Sequence, residues 1–408
     1  MTLSDQQDYA NLILSAVNFQ QDQSLLIKAE PGHWYFIATL SAEAYRRGAK
    51  YVHVRAEHAN LYRARVENSK PEHLGTIPAF RHVVNETMLE EGWAIVSIKS
   101  PDDPDALEGL DSTRHGIVQK TIADADYPFR RAVQADHLRW IVVAVPTPAW
   151  AAKVLMTEPS EAAAHELWRR LKPILRLDTD DPIAAWQQQR QVLEQRRQTL
   201  DALKLDSVHF EGPGTDLTVG LSPLSQWEGG GSNAVDGLDF MPNIPTEEVF
   251  TTPDFRRTEG TAKLTRPVQV LGSIVTDGWL RFEEGKVVDF GASSGADILD
   301  RYFDLDERAR YLGELALVDT SSPIYRSGLV FYNTLLDENA ACHVAVGSSY
   351  PKCLKGGNEL SPEEYEKAGG NTSKLHTDLM ISSPETRVTG TTGDGAKVDV
   401  IVGGRFVI

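Results

Sequence analysis

Short apolar runs alternate with helix-like stretches through the first third of the chain, and this alternation restricts the fold more than any other feature. SLLIKA (Ser24–Ala29) reads as a buried strand, PGHWYFIATLSAEAYRRGAK as a helix ending at Gly48, and YVHVRA as the next strand. WAIVSIKS (Trp93–Ser100) and LRWIVVAVP (Leu138–Pro146) repeat the theme. Strands spaced by helical segments predict an α/β N-terminal domain with a mainly parallel sheet. The chain lacks a GxGxxG motif, so this domain is not read as a dinucleotide site, and no bound organic cofactor is expected.

The texture then changes twice. HELWRRLKPIL and AAWQQQRQVLEQRRQTLDALK, interrupted by LDTDDP, carry apolar residues at helical spacing, and their Gln/Arg run reads as a solvated helix face. From Asp206 glycine becomes frequent and β-type runs dominate: SVHFEG, TDLTVGL, GSIVTDGWLRF, KVVDFGA, HVAVGSSY and KVDVIVGGRFVI. These predict an antiparallel-rich α+β C-terminal domain. At 408 residues the chain exceeds what one core usually organises. The expected division is 1–158, a helical connector over 159–204, and 205–408. EGGGSNAVDG (Glu228–Gly237) reads as a flexible loop without the context of a phosphate-binding loop.

Charge and cysteine content narrow the partners. A net charge of -17, with no basic cluster to reverse it locally, disfavours nucleic acid and anionic membranes. Two cysteines, Cys342 and Cys353, are too few for a disulfide framework or a thiolate zinc site and suit a reducing compartment. The first residues have neither a basic n-region nor an unbroken apolar core, and no apolar run nears the ~18 residues that span a bilayer. A cytoplasmic location is expected.

HExxH and P-loop signatures are absent. Cys342 and His343 are neighbours on a probable strand and so face opposite ways, a poor nucleophile–base pair. What remains is carboxylates and histidines in the second half. LHTDLM sets His376 and Asp378 two apart in a probable strand, on one face. DENAACHVAVGSSY supplies His343 at the head of a strand and Tyr350 seven residues on. YLGELALVD embeds Glu314 in an apolar strand, where a carboxylate is costly unless compensated. NIPTEEVFTTPD contributes Glu247 and Glu248 in a proline-punctuated loop. Taken singly, each has a bland alternative: a satisfied structural histidine, or acidic residues in the first turn of a helix. Together, oxygen and nitrogen donors without thiolates suit zinc, cobalt, manganese or magnesium.

NIPTEEVFTTPD, GELALVD, SPIYRSGLVFYNTLLDENAACHVAVGSSYP and LHTDLMISSPE resemble the aminopeptidase T and aminopeptidase S family of dinuclear metallo-aminopeptidases. The resemblance extends to AYRRGAKYVHVR, DDPIAAWQQQRQVLEQRRQTLDALKLDSVHF and GTDLTVGL, most of the chain. It implies that Glu248, Glu314, His343, His376 and Asp378 ligate two divalent metal ions, with Tyr350 beside them as ligand or catalytic hydroxyl. It also implies a homodimer whose active site faces an enclosed space, and wide tolerance for the N-terminal side chain. Ser382 departs from the family pattern, which has glycine after HTDLMI; this bears on the local turn.

On this reading the chain is an aminopeptidase removing N-terminal residues from short peptides with a free N-terminus, using a water activated by two metals. Glu314 is the candidate bridging carboxylate. Glu247 is either the general base or a carboxylate that tunes the metal, and Tyr350 either donates to the oxyanion or coordinates directly. Two alternatives stand beside it: a related mononuclear iron dioxygenase-like enzyme, and a metal-binding protein without activity.

Overall fold

The computed structural model describes residues 1–408 apart from the side chain of Ser112. The chain divides into two compact units, Met1–Ala185 with Gly231–Ile244, and Trp186–Gly230 with Pro245–Ile408. These limits differ from the boundaries expected at 158 and 204, and the stretch 159–204 is not a unit of its own. Burial explains why. The helix Glu161–Ile174 buries Leu167, Trp168 and Leu171, and Trp168 meets the ring of Tyr9 at 5.6 Å in the first unit. The helix Pro182–Leu203, within which the division falls, places Leu193 and Leu200 in the core of the second.

In the first unit a parallel sheet runs in the order Tyr51–Ala56, Ser24–Ala29, Ala94–Ile98, Trp140–Val143. Each strand lies inside an apolar run noted above. Leu25, Leu26 and Ile27, in a central strand, are fully buried, as strands covered on both faces require. The helix Trp34–Arg46 stops just before Gly48.

The second unit is built on antiparallel pairing. Its larger sheet runs Lys286–Gly291, Trp279–Glu283, Pro253–Lys263, Thr215–Leu221, Leu205–Gly212, Arg387–Thr392, Lys397–Val402, Arg405–Phe406. A separate sheet orders His376–Met380, His343–Gly347, Leu312–Leu317 and Val249–Thr251. One apolar cluster joins the two sheets, with Phe210, Leu217 and Phe282 from the larger and Leu315, Val344 and Leu379 from the smaller. The glycines of EGGGSNAVDG that lie in this unit do not confer looseness. A Cβ at Gly229 would stand 2.9 Å from the Glu248 carbonyl oxygen, so glycine there permits close approach of two backbones.

Candidate metal centre

Register in the smaller sheet gathers the candidate residues. Glu314, Ala345 and Asp378 form one row across three adjacent strands. Side chains two apart on a strand share a face, so His343 and His376 lie on the face of that row. Phe250 pairs with Ala316, which pairs with His343. Glu248 enters from the loop two residues before Phe250. Alanine at the middle of the row takes little of the room between the two carboxylates.

Glu314 reaches this face through a local irregularity. All six residues of Leu312–Leu317 are buried, and Glu314 is 4% exposed. A register shift between Leu312 and Glu314 breaks the strand's alternation, as a bulge does when it re-aims a side chain. Gly313 allows the bend, since a Cβ there would lie 2.2 Å from the Ser348 carbonyl oxygen.

Two sets of donor atoms result, Glu248–Glu314–His343 and Glu314–His376–Asp378, each with its atoms within 4.8 Å of one another. His343 Nε2 is 3.4 Å from Glu248 Oε2, and His376 Nε2 is 3.2 Å from Glu314 Oε2 and 3.3 Å from Asp378 Oδ1. The opposite ring nitrogens sit against backbone carbonyls: His343 Nδ1 at 3.3 Å from Ala341 O, His376 Nδ1 at 2.7 Å from Ser348 O. A carbonyl only accepts, so Nδ1 carries the hydrogen in both rings. Nε2 is thereby turned to the carboxylates, the arrangement by which proteins orient a ligating imidazole.

The charges are strongly coupled. Burial pushes the Glu248 carboxyl up to about 8, His343 opposes this, and Glu314 and Asp378 add to it. Burial alone would lower both histidines, but the carboxylates outweigh it and hold His343 above and His376 well above the ordinary imidazole range. Burial works to raise Asp378, and His376 overrides it and keeps that carboxyl below its usual range. Glu248 Oε2 is buried and meets no hydrogen-bond donor among the described residues. Such an orphaned acceptor is costly unless a cation satisfies it. Three carboxylates and two imidazoles therefore fit divalent ions that favour oxygen and nitrogen ligands.

Tyr350 joins the group, its ring 5.2 Å from that of His376. Burial and the surrounding carboxylates of Glu314, Asp378, Glu338 and Glu248 push its hydroxyl well up, so it stays protonated and can donate. Glu247 faces elsewhere. Its Oε2 accepts a hydrogen bond from Gln189 Nε2 at 2.8 Å, and its charge acts on Arg196, both on the helix Pro182–Leu203. Adjacent side chains of an extended loop point apart, so with Glu248 directed at the donor atoms Glu247 is directed at the helix. The sequence reading leaves Glu247 open between general base and a carboxylate that tunes the metal.

Glu338 was missed. It lies in the short turn Glu338–Ala340 before His343. Burial and the carboxylates of Glu248, Asp378 and Glu314 push its carboxyl well above the usual range, although it belongs to neither set of donor atoms. Its signal was the run Asp-Glu-Asn, and adjacency hid it. Asp337, the neighbour, has a local task, accepting from the backbone N–H groups of Phe331 at 2.9 Å and Asn333 at 3.1 Å. Cys342 points away from the site, its sulfur paired with the Val318 backbone. Ser382 Oγ accepts from the Cys342 N–H at 2.8 Å, so the departure from glycine steadies the peptide next to His343.

A family model described as Thermophilic metalloprotease (M29) matches residues 3–406. Aminopeptidase 2 of Geobacillus stearothermophilus is 38% identical over 399 residues, covering 98% of this chain and 96% of the relative. Aminopeptidase T of Thermus aquaticus is 38% identical over 392 residues, covering 96% and 95% respectively. The structure of wild-type AmpT from Thermus thermophilus matches with a TM-score of 0.91 at 36% identity, covering 100% of both chains. With likeness running from end to end, the chain belongs to the M29 metalloprotease family, that of aminopeptidases T and S, and is a metallo-aminopeptidase.

Proposed function

We propose that the chain removes N-terminal residues from short peptides with two divalent cations, drawn from zinc, cobalt, manganese or magnesium. Glu248, Glu314 and His343 would hold one, and Glu314, His376 and Asp378 the other. Glu314 carries this reading: it belongs to both donor sets, as a carboxylate shared by two ions must. Cations bound there would supply Lewis acidity, polarising the scissile carbonyl and lowering the pKa of a water.

The protein's own groups do the rest. The protonated Tyr350 hydroxyl donates to the carbonyl oxygen as negative charge develops on it. Glu338 takes the proton of the attacking water and delivers it to the departing amine, the role first considered for Glu247. Glu247 instead ties its loop to Gln189 and steadies Glu248 from behind. The surplus of carboxylates at the centre favours a substrate bearing a free α-ammonium. A mononuclear iron enzyme would have no use for two donor sets sharing one carboxylate, and an inactive relic would be expected to have lost a donor.

A homodimer belongs to the same proposal through the family resemblance. So does cytoplasmic residence, which the two unpaired buried cysteines support. No helix of the described residues is long and apolar enough to cross a membrane. Turnover of leucine p-nitroanilide, compared with its N-acetyl derivative in metal-depleted and metal-restored enzyme, tests the function. Cleavage of the free-amine substrate alone, and only with metal restored, is expected. Equal cleavage of both substrates would make the chain an endopeptidase or general amidase.

A further inference from the structure

We propose that Asn339 is a positioning residue of this centre, its side-chain amide bracing the loop that carries Glu248 against the turn that carries Glu338. The inference rests on the reading of Glu248 as a metal ligand and Glu338 as the proton carrier.

Asn339 is 0% exposed. Its Oδ1 accepts from the backbone N–H of Glu247 at 2.6 Å. Its Nδ2 donates to the Leu335 carbonyl at 3.0 Å and reaches Glu338 Oε1 at 3.4 Å. The amide's orientation is fixed by these partners, because a peptide N–H only donates and a carbonyl only accepts. The two segments it joins are 92 residues apart in the chain. They are not neighbours in the sheet either, since Leu312–Leu317 lies between Val249–Thr251 and His343–Gly347. One side chain therefore joins the two segments, with one arm on the N–H of Glu247, the residue before Glu248, and the other on Leu335 O and Glu338 Oε1.

The two arms can be cut separately. Asn339→Asp keeps an acceptor for the Glu247 N–H but sets a second carboxylate oxygen against Leu335 O and Glu338. Asn339→Ala removes both arms and leaves the Glu247 N–H buried without an acceptor. Ser322→Ala serves as the control, since Ser322 Oγ donates to the Asn339 main-chain carbonyl at 2.6 Å and touches neither arm.

Zinc affinity by chelator competition, kcat and KM on leucine p-nitroanilide at saturating zinc, and the Tm of the metal-free protein are measured for each variant. Asn339→Ala is expected to weaken zinc binding roughly 10–100-fold, the scale on which losing a group behind a ligand acts. Asn339→Asp is expected to keep zinc affinity within about threefold and lose kcat by about tenfold or more, the loss expected of a displaced general base. Ser322→Ala should lower Tm alone. If both Asn339 variants lower only Tm, or lose zinc affinity alike, the positioning role is overturned. If Asn339→Ala fails to fold, Asn339→Asp decides: wild-type kcat and affinity overturn the role, and reduced kcat with zinc retained supports it. Glu338→Gln with undiminished kcat would remove the proton-carrier reading instead, and the zinc affinity of Asn339→Ala would still judge the arm toward Glu248.

Discussion

Replacing Glu247 and Glu338 by glutamine, one at a time, separates two carboxylates that the sequence alone could not rank. Glu247 Oε2 accepts from Gln189 at 2.8 Å, and a glutamine at 247 keeps an oxygen able to accept the same bond. What it loses is a charge acting on Arg196 of the same helix. The expected cost is at most about tenfold in kcat, with metal content unchanged, the low end of what groups behind metal ligands contribute. Glu338 sits with Glu248, Asp378 and Glu314 around it. Glutamine there keeps the shape but takes no proton, and loss of a general base costs roughly 10²–10⁴ in rate, or about 3–5 kcal/mol of barrier. The two variants should therefore differ by about tenfold to ten-thousandfold. Turnover of leucine p-nitroanilide at saturating metal, with metal content by elemental analysis on the same samples, provides the comparison. If Glu247→Gln shows the larger loss with metal retained, the assignment is reversed. If Glu338→Gln loses metal in proportion to activity, Glu338 is a ligand.

Glu314 belongs to both donor sets, so Glu314→Gln should weaken both ions, whereas His343→Ala should weaken one and leave a single tight equivalent; metal titration distinguishes them. Each loss should exceed the roughly 10–100-fold typical of groups behind the ligands. Tyr350→Phe should keep most of the metal and slow turnover by about 10²–10³, the scale of losing one oxyanion donor; metal loss as complete as in His376→Ala would make the hydroxyl a ligand. Loading the site should also release protons. At pH 7 the metal-free centre keeps protons on Glu248, whose carboxyl is pushed up to about 8, and on His376, held well above its usual range. A ligand must shed its proton to bind, so cation affinity should rise with pH up to about 8 and fall toward acid. Calorimetry in buffers of different ionisation enthalpy measures the release, and none at pH 7 would contradict these charge states.

Much of this arrangement was legible in the sequence because period and residue type agree. SLLIKA, with Leu25, Leu26 and Ile27 in succession, reads as a buried strand, and those three residues are fully buried. His376 and Asp378, two apart, share a face as strand geometry requires. Glu314 was conspicuous because a carboxylate inside an apolar strand is costly. The direction of Glu247 was not legible, since it depends on a partner on a helix far away in the chain, and two adjacent glutamates in a loop look alike until one meets Gln189. Glu338 was hidden for a related reason: its neighbour Asp337 spends its carboxylate on local backbone N–H groups, and nothing in Asp-Glu-Asn tells which residue turns inward. The two compact units divide elsewhere than at 158 and 204 because Leu193 and Leu200 give a helix read as a connector a place in the second core.

The central claim is that two cations share Glu314. Metal-free enzyme titrated with zinc or cobalt, its activity followed on leucine p-nitroanilide and its bound metal counted at each point, tests this most directly. Activity should keep rising beyond one equivalent per chain and reach its maximum at about two, since each donor set is built for one ion. Full activity at a single equivalent, with no further gain, would contradict it.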